Sequence, residues 1–303
     1  MPFIKAGRSI FMKISENWTD YSILATGDGY KLERWKDVYL LRPDPQAIWP
    51  ASQDMFSHPK LNAYYKRSEN GGGGWKILRP FPSEWEIGYA PLSVKFKIKP
   101  MGFKHTGLFP EQAVNWEKMT SLIKSANRPI KVLNLFAYTG GASVACAKAG
   151  AQVTHVDAAK GMVERAGENA RLSGIESGIR YIIDDCFKFV QREIRRGNKY
   201  DAIIMDPPSY GRGPNGETWK IENDLYKFVE LCTQVLSDNP LFVLINSYTT
   251  GLQPLVLKNV LTLTLKGFVG DVEAYEVGIK TEEGIALPCG AGGMFIANGA
   301  KGE

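Results

Sequence analysis

The chain has 303 residues, of which 44% are apolar and 23% charged, with a formal net charge of +5. That length allows one large domain or two ordinary ones with a real core, and the composition is that of a soluble globular protein. No apolar run approaches the length needed to span a bilayer, and the modest positive charge admits a nucleic-acid partner without implying one.

At the N-terminus, MPFIKAGRSIFMKI has neither an apolar signal core nor a small-residue cleavage site, so a cytoplasmic location is expected. Residues 1–100 are rich in aromatics, prolines and glycines. Short apolar stretches at 21–25 and 38–41 are broken by Gly27-Asp28-Gly29 and Pro43-Asp44-Pro45, which reads as a small β-rich domain with tight turns. The glycine run 71–74 is expected to be a flexible surface loop. In 94–100, Val94, Phe96 and Ile98 alternate with Lys95, Lys97 and Lys99. On a strand the three lysines share one face, either as a solvated edge or as a stripe that tracks phosphates.

From residue 130 the rhythm changes. Strands are expected at 131–136, 152–157, 179–183, 200–205 and 241–245. Helices are expected from Gly141 to Ala149 and at 160–173, 187–196 and 223–236. Strands alternating with helices form a parallel sheet covered on both faces, with ligands at the carboxyl ends of the strands. The unusual residues fall at those ends.

The turn Ala137-Tyr138-Thr139-Gly140-Gly141 follows the first of these strands. Small residues allow a ligand close to the backbone, and the helix start behind them offers free N–H groups. Asp157 ends the second strand, where a carboxylate accepts both hydrogen bonds of a ribose diol or simply caps the next helix. Asp184 and Asp185 end the third strand; one suits an adenine amino group and the other a helix cap, and Asp185 is the one assigned to adenine. Asp206-Pro207-Pro208-Ser209-Tyr210 ends the fourth. Two prolines stiffen the backbone and remove donors, leaving carbonyls and the Asp206 carboxylate to hold an incoming amino group, with Tyr210 available to stack on a base.

With these residues in place, the chain resembles the class I S-adenosylmethionine-dependent methyltransferases, in particular the large-subunit ribosomal RNA cytosine-C5 methyltransferases and their relatives. The matching stretches are HTGLFPEQ, VLNLFAYTGGASV, VDAAKGMVERAGENARLSG, DDCFKFVQREIRRGNKYDAIIMDPPSY and LFVLINSYT, which cover most of residues 104–250. The resemblance implies a Rossmann-like α/β domain over 101–303, with a mostly parallel seven-stranded sheet and the β-rich domain at its N-terminus. It implies S-adenosylmethionine as cofactor, no metal, and an RNA substrate. The implied cofactor-binding residues are Gln112, Phe136, Ala137, Tyr138, Thr139, Gly140, Gly141, Asp157, Ala158, Asp185, Cys186 and Asp206. Asp206, Pro207 and Tyr210 are the implied catalytic residues. The family's TGxxxDQRxxR pattern reads TGLFPEQAVNW here: Gln112 matches, while Ala113 and Trp116 replace the arginines.

Rival readings are a methyltransferase for a protein or small molecule, a nicotinamide-dependent oxidoreductase, and a catalytically dead RNA-binding module. GxGxxG is absent, and DPPSY has no part in hydride transfer. Methylation of cytosine C5 generally needs a cysteine thiolate. The resembling enzymes carry that cysteine after the fifth strand, where this chain has Ser247; either Cys289 reaches the site, the alignment slips by a residue, or transfer is direct, to a base nitrogen. Cys146 and Cys232 read as packing residues, His155 as a satisfied core histidine, and Lys188, Arg192, Arg195, Arg196 and Lys199 as a solvated basic face or an RNA contact.

Overall fold

A computed structural model describes residues 11–68, 72–102, 104–212 and 218–298. Ile179–Ile183, Gln152–Asp157, Lys131–Leu135, Ala202–Met205 and Phe242–Ser247 lie side by side in that order, all parallel. Ala202–Met205 and Phe242–Ser247 are buried throughout, as strands covered by helices on both faces must be. Ala286–Ala297 follows, antiparallel to both neighbours, and then Gly270–Lys280. To these seven strands the structure adds an eighth: Phe11–Ser15 pairs in parallel with Gly270–Lys280. A division near residue 100 therefore separates the small sheets from the large one, but not this strand.

The expected helices appear at Gly141–Lys148, Lys160–Leu172, Cys186–Arg196 and Ile221–Thr233. Helices Ala113–Ser125 and Pro254–Thr264 and the hairpin Tyr210–Arg212 with Thr218–Lys220 have no counterpart in the sequence reading.

Before the large sheet, Tyr21–Gly27, Tyr30–Trp35, Val38–Pro43, Ala63–Arg67 and Gly73–Ile77 form a five-stranded sheet, and Trp85–Tyr89 pairs with Val94–Ile98. The glycine run is not simply a loop. Gly73 and Gly74 pair with Arg67 and Lys66, and the Tyr65 ring occupies the space a side chain at 73 would fill; Gly71 lies outside the described residues. The five-stranded sheet is stitched to the turn that joins the last two strands of the large sheet. The Glu283 carboxylate accepts from the Thr26 N–H and hydroxyl, and the Glu282 N–H donates to Ile23.

Trp116 explains why an arginine is missing from the pattern. On helix Ala113–Ser125 its buried ring packs against Trp18, Tyr89 and Phe96, joining the β-rich residues to the large domain. Trp116→Arg should therefore destabilise the fold by about 3–5 kcal/mol, since it removes a large buried ring and adds an unpaired charge. A thermal midpoint unchanged from wild type would contradict this packing role.

Strand Val94–Ile98 does alternate as expected, and one of the three lysines, Lys97, is engaged by carboxylates. Lys97 Nζ lies 3.1 Å from Glu84 and 3.5 Å from Glu168. The strand's open edge is closed by helix Lys160–Leu172 and its cap: Ser173 Oγ accepts from the Lys95 N–H, and Asn169 Oδ1 from the Lys97 N–H. The basic helix is similarly occupied, with Arg192 paired to Asp184, Arg196 to Glu193, and Lys199 donating to the Gln234 carbonyl. Lys97, Arg192, Arg196 and Lys199 thus have structural partners.

Candidate active site

The carboxyl ends of the parallel strands meet at the turn that follows Lys131–Leu135. Phe136 and Tyr138 both adopt left-handed backbone, with φ of 53° and 49°, a conformation that costs a non-glycine residue about 1–3 kcal/mol. Neighbours hold it in place. Cys186 Sγ accepts from the Phe136 N–H at 3.2 Å, and Asp157 Oδ2 accepts from the Tyr138 N–H at 2.9 Å. The Asn169 amide donates to the Thr139 carbonyl, and the Thr139 hydroxyl donates to the Gly107 carbonyl at 2.6 Å. The two glycines are required by close approach: a Cβ would stand 2.8 Å from Ala166 at Gly140 and 2.7 Å from the Trp116 ring at Gly141.

A cleft opens beside this turn. Gln112, Ala137, Tyr138, Thr139, Gly141 and Asp206 line it, together with Leu108, Phe109, Trp116, Asn134, Ala142, Ile204 and Asn246. A larger groove runs along the opposite ends of the strands past Lys131, Arg180 and Lys199. It lies away from every strand terminus singled out above.

Other expected residues surround the cleft rather than line it. Asp157 is half-buried; besides the Tyr138 N–H it accepts from the Ala159 N–H at 2.9 Å, so it both pins the turn and caps the next helix. Ala158 is exposed beside it. The expected division between the two acids of the third strand is reversed in part. Asp185 is the helix cap, accepting from the Lys188 N–H, while Asp184 pairs with Arg192. Capping falls to the residue at the helix start, whichever acid adenine meets. Cys186 contributes its thiol as well as its backbone, through the Phe136 contact.

Asp206 and Pro207 end strand Ala202–Met205, and Pro207 is buried. The Trp219 indole donates to the Pro208 carbonyl at 2.6 Å and packs on Phe136, so the short hairpin locks the double proline to the turn. Burial, with Glu111 nearby, pushes the Asp206 carboxyl up to about 7. Tyr210 stands on that hairpin with its ring 49% exposed and its hydroxyl accepting from Arg212; it is not among the residues lining the cleft.

A buried polar network backs the cleft. Gln112 Nε2 donates to the Tyr248 hydroxyl at 2.6 Å, and Asn115 donates to both Gln112 and Asn246. The Tyr275 hydroxyl donates to Asn115. Phe109 packs against Tyr138 and Tyr248, with ring centroids 5.6 and 5.2 Å apart. The sequence reading missed Phe109, Glu111, Asn115, Asn246 and Tyr248, although all but Asn115 stand in the stretches HTGLFPEQ and LFVLINSYT that carried the resemblance.

Ser247, at the position of the family's cysteine, is buried, and its hydroxyl accepts from the Thr249 N–H. Burial, then the charge of Glu111, pushes the Cys289 thiol well up, which makes it a poor nucleophile. His155 is core, but only half satisfied: Nδ1 meets Ser143 at 2.9 Å, Nε2 has no partner among the described residues, and burial lowers its pKa to about 4. Cys146 and Cys232 are buried on their helices, as expected.

Residues 44–261 match the family described as S-adenosylmethionine-dependent methyltransferase. The chain belongs to that family. A methyltransferase of Agrobacterium tumefaciens is 33% identical, with a TM-score of 0.88 over 96% of this chain and 94% of that one. Ribosomal RNA large subunit methyltransferase K/L of Shewanella frigidimarina is 34% identical over 73% of this chain; the match spans only 29% of that protein. A putative methyltransferase solved with SAH shares the fold, with a TM-score of 0.68 at 19% identity. The residues here fit this methyltransferase's cofactor: a strained turn without side-chain bulk at Gly140 and Gly141, Asp157 behind it, and Asp185 on the adjoining strand end. Among the described residues there is no cluster suited to a metal ion, and no helix long and apolar enough to cross a membrane.

Proposed function

We propose that this methyltransferase modifies a base nitrogen in ribosomal RNA by direct transfer. The observation that carries this reading is the Asp206 carboxylate, which lines the cleft and has no hydrogen-bond partner among the described residues. S-adenosylmethionine, when bound, supplies a methyl group on a positively charged sulfur. Gln112, Phe136–Gly141, Asp157, Ala158, Asp185 and Cys186 would hold it. Asp206 and the carbonyl of Pro207 accept from the amino or imino group of the base, and Phe109, which packs on Tyr248, lines the same cleft with aromatic surface. The chain's work is positioning and exclusion of water rather than covalent catalysis. RNA as substrate is supported by the names of the curated relatives, several of them ribosomal RNA large subunit methyltransferases.

The test uses unmodified large-subunit ribosomal RNA transcript and a labelled methyl donor, followed by mass spectrometry of the nucleosides. Label is expected on a base nitrogen. Cys289→Ala should keep activity within about twofold, because a thiol held protonated offers no thiolate for addition. A covalent complex with 5-fluorocytosine RNA, lost in Cys289→Ala, would restore the cysteine mechanism and overturn direct transfer.

A further inference from the structure

One polar side chain of the cleft is held from behind by two buried groups. Asn134, on strand Lys131–Leu135, lines the cleft, and His155 is its register partner on the neighbouring strand Gln152–Asp157. The helix that starts at the cleft turn, Gly141–Lys148, supplies Ser143 from its first turn. Asn134 Nδ2 donates to Ser143 Oγ at 2.9 Å, and Ser143 Oγ meets His155 Nδ1 at 2.9 Å. Asn134 is 3% exposed, and Ser143 and His155 are fully buried. Among the described residues nothing donates to Asn134 Oδ1, and His155 Nε2 has no polar partner.

This chain of bonds has a direction. A hydroxyl has one proton to give. Ser143 Oγ accepts from Asn134, so its proton goes to His155 Nδ1, the other polar atom it meets. Nδ1 is then the unprotonated nitrogen, and the single proton of the ring sits on Nε2. Burial lowers the His155 pKa to about 4, so the ring stays neutral near physiological pH and keeps this distinction. The reverse sense is equally closed. A proton on Nδ1 would make Ser143 an acceptor there and a donor to Asn134 Oδ1, and the amide would turn its NH2 toward the cleft. The protonated nitrogen of the imidazole therefore decides whether Asn134 shows the cleft an acceptor or a donor.

We propose that Ser143 and His155 are positioning residues for the amino-acid end of the cofactor: they turn the Asn134 oxygen into the cleft, where it accepts from the ammonium group. S-adenosylmethionine carries that ammonium whichever acceptor takes the methyl group, so the role does not depend on the base. The surroundings agree with it. Ile204 is the register partner of Asn134 on the other side, and Asp206 lies two residues further along that chain segment. A period of two puts Asn134, Ile204 and Asp206 on one face, and all three line the cleft. Asn134 and Asp206 thus offer oxygen to a group that has only N–H donors. The ribose hydroxyls and the adenine amino group, the other donors of the cofactor, are the ones assigned to Asp157 and Asp185, on the ends of other strands. The opposite sense at Asn134 would set N–H against N–H.

The first measurement needs no variant. Nitrogen-15 NMR of the wild-type imidazole at neutral pH should show Nε2 protonated and Nδ1 unprotonated; a proton on Nδ1 overturns the proposal. Calorimetry on full chains then compares S-adenosylhomocysteine with 5′-methylthioadenosine, which lacks the amino-acid end. His155→Leu removes the acceptor of the Ser143 proton, frees that proton for Asn134 Oδ1 and so reverses the amide. Affinity for S-adenosylhomocysteine should fall about tenfold, while affinity for 5′-methylthioadenosine should stay within about twofold. Asn134→Asp offers oxygen whichever way it turns, so adding His155→Leu to it should weaken S-adenosylhomocysteine by no more than about twofold. Equal losses for the two ligands in His155→Leu would mean a packing role and overturn the proposal. Unchanged affinity for S-adenosylhomocysteine in that variant, or a loss of about tenfold on adding His155→Leu to Asn134→Asp, overturns it as well.

Discussion

Asp206→Asn is expected to lower kcat by about three orders of magnitude while leaving affinity for S-adenosylhomocysteine within about twofold. Asparagine keeps the shape of the side chain but replaces one acceptor oxygen with a donor and cannot take a proton. S-adenosylhomocysteine carries no charge on sulfur, so its affinity reports the cofactor site without the carboxylate's electrostatic contribution. The pH dependence follows from the same residue. Burial and the charge of Glu111 push the Asp206 carboxyl up to about 7, so the free enzyme gains its working, ionised form as pH rises through that value. The kcat/KM for the methyl donor should rise over the same range. The kcat profile should turn over at lower pH, because a positive sulfur nearby favours the ionised carboxylate. Stability runs the other way. With its folded-state pKa above the unfolded value, Asp206 contributes stability that is present below the ordinary carboxylate range and is lost as pH rises through about 7. Thermal midpoints of the ligand-free chain should therefore decline from pH 4 to pH 7 more in wild type than in Asp206→Asn. A flat kcat/KM between pH 6 and 8, with an active Asp206→Asn, would remove Asp206 from the chemistry.

Asp157→Ala is expected to weaken cofactor binding by about a hundredfold, or roughly 3 kcal/mol, measured by calorimetry with S-adenosylhomocysteine. Two losses combine. A ribose diol would give up hydrogen bonds to an ionised acceptor, which are stronger than neutral ones. The Tyr138 N–H also loses its partner at 2.9 Å, and with it one of the contacts that hold Tyr138 at φ 49°. Asp157→Asn separates them, since its amide oxygen can still accept from Tyr138 but the charge is gone. Affinity in Asp157→Ala equal to that of wild type would mean that the carboxylate is only a cap for the helix that follows Ala159.

The large domain was legible because its signals are local. Apolar runs long enough for a strand, helices between them, and acids at the strand ends determine a parallel sheet and the edge at which it binds ligands. Asp157, Asp185 and the DPP sequence all stand at the carboxyl ends they were assigned to. Tertiary packing decided what each acid does there. Asp185 caps a helix because of its position at the helix start, and Asp184 is taken by Arg192 about two turns along that helix. The lysine alternation of Val94–Ile98 was correct as a pattern. Whether those charges are free depended on Glu84 and Glu168, which arrive from elsewhere in the chain.

By itself, then, the sequence determined the parallel sheet, the turn at the end of its first strand and the absence of a cysteine at the usual place, since each depends on residues close together in the chain. Only the tertiary structure decided that Phe11–Ser15 joins the large sheet, that Trp116 is a joint between the two β layers, and that Phe109, backed by Tyr248, lines the cleft while Tyr210 does not. A carboxylate's pairing and pKa depend on which charges and how much water surround it after folding, and no spacing along the chain encodes that.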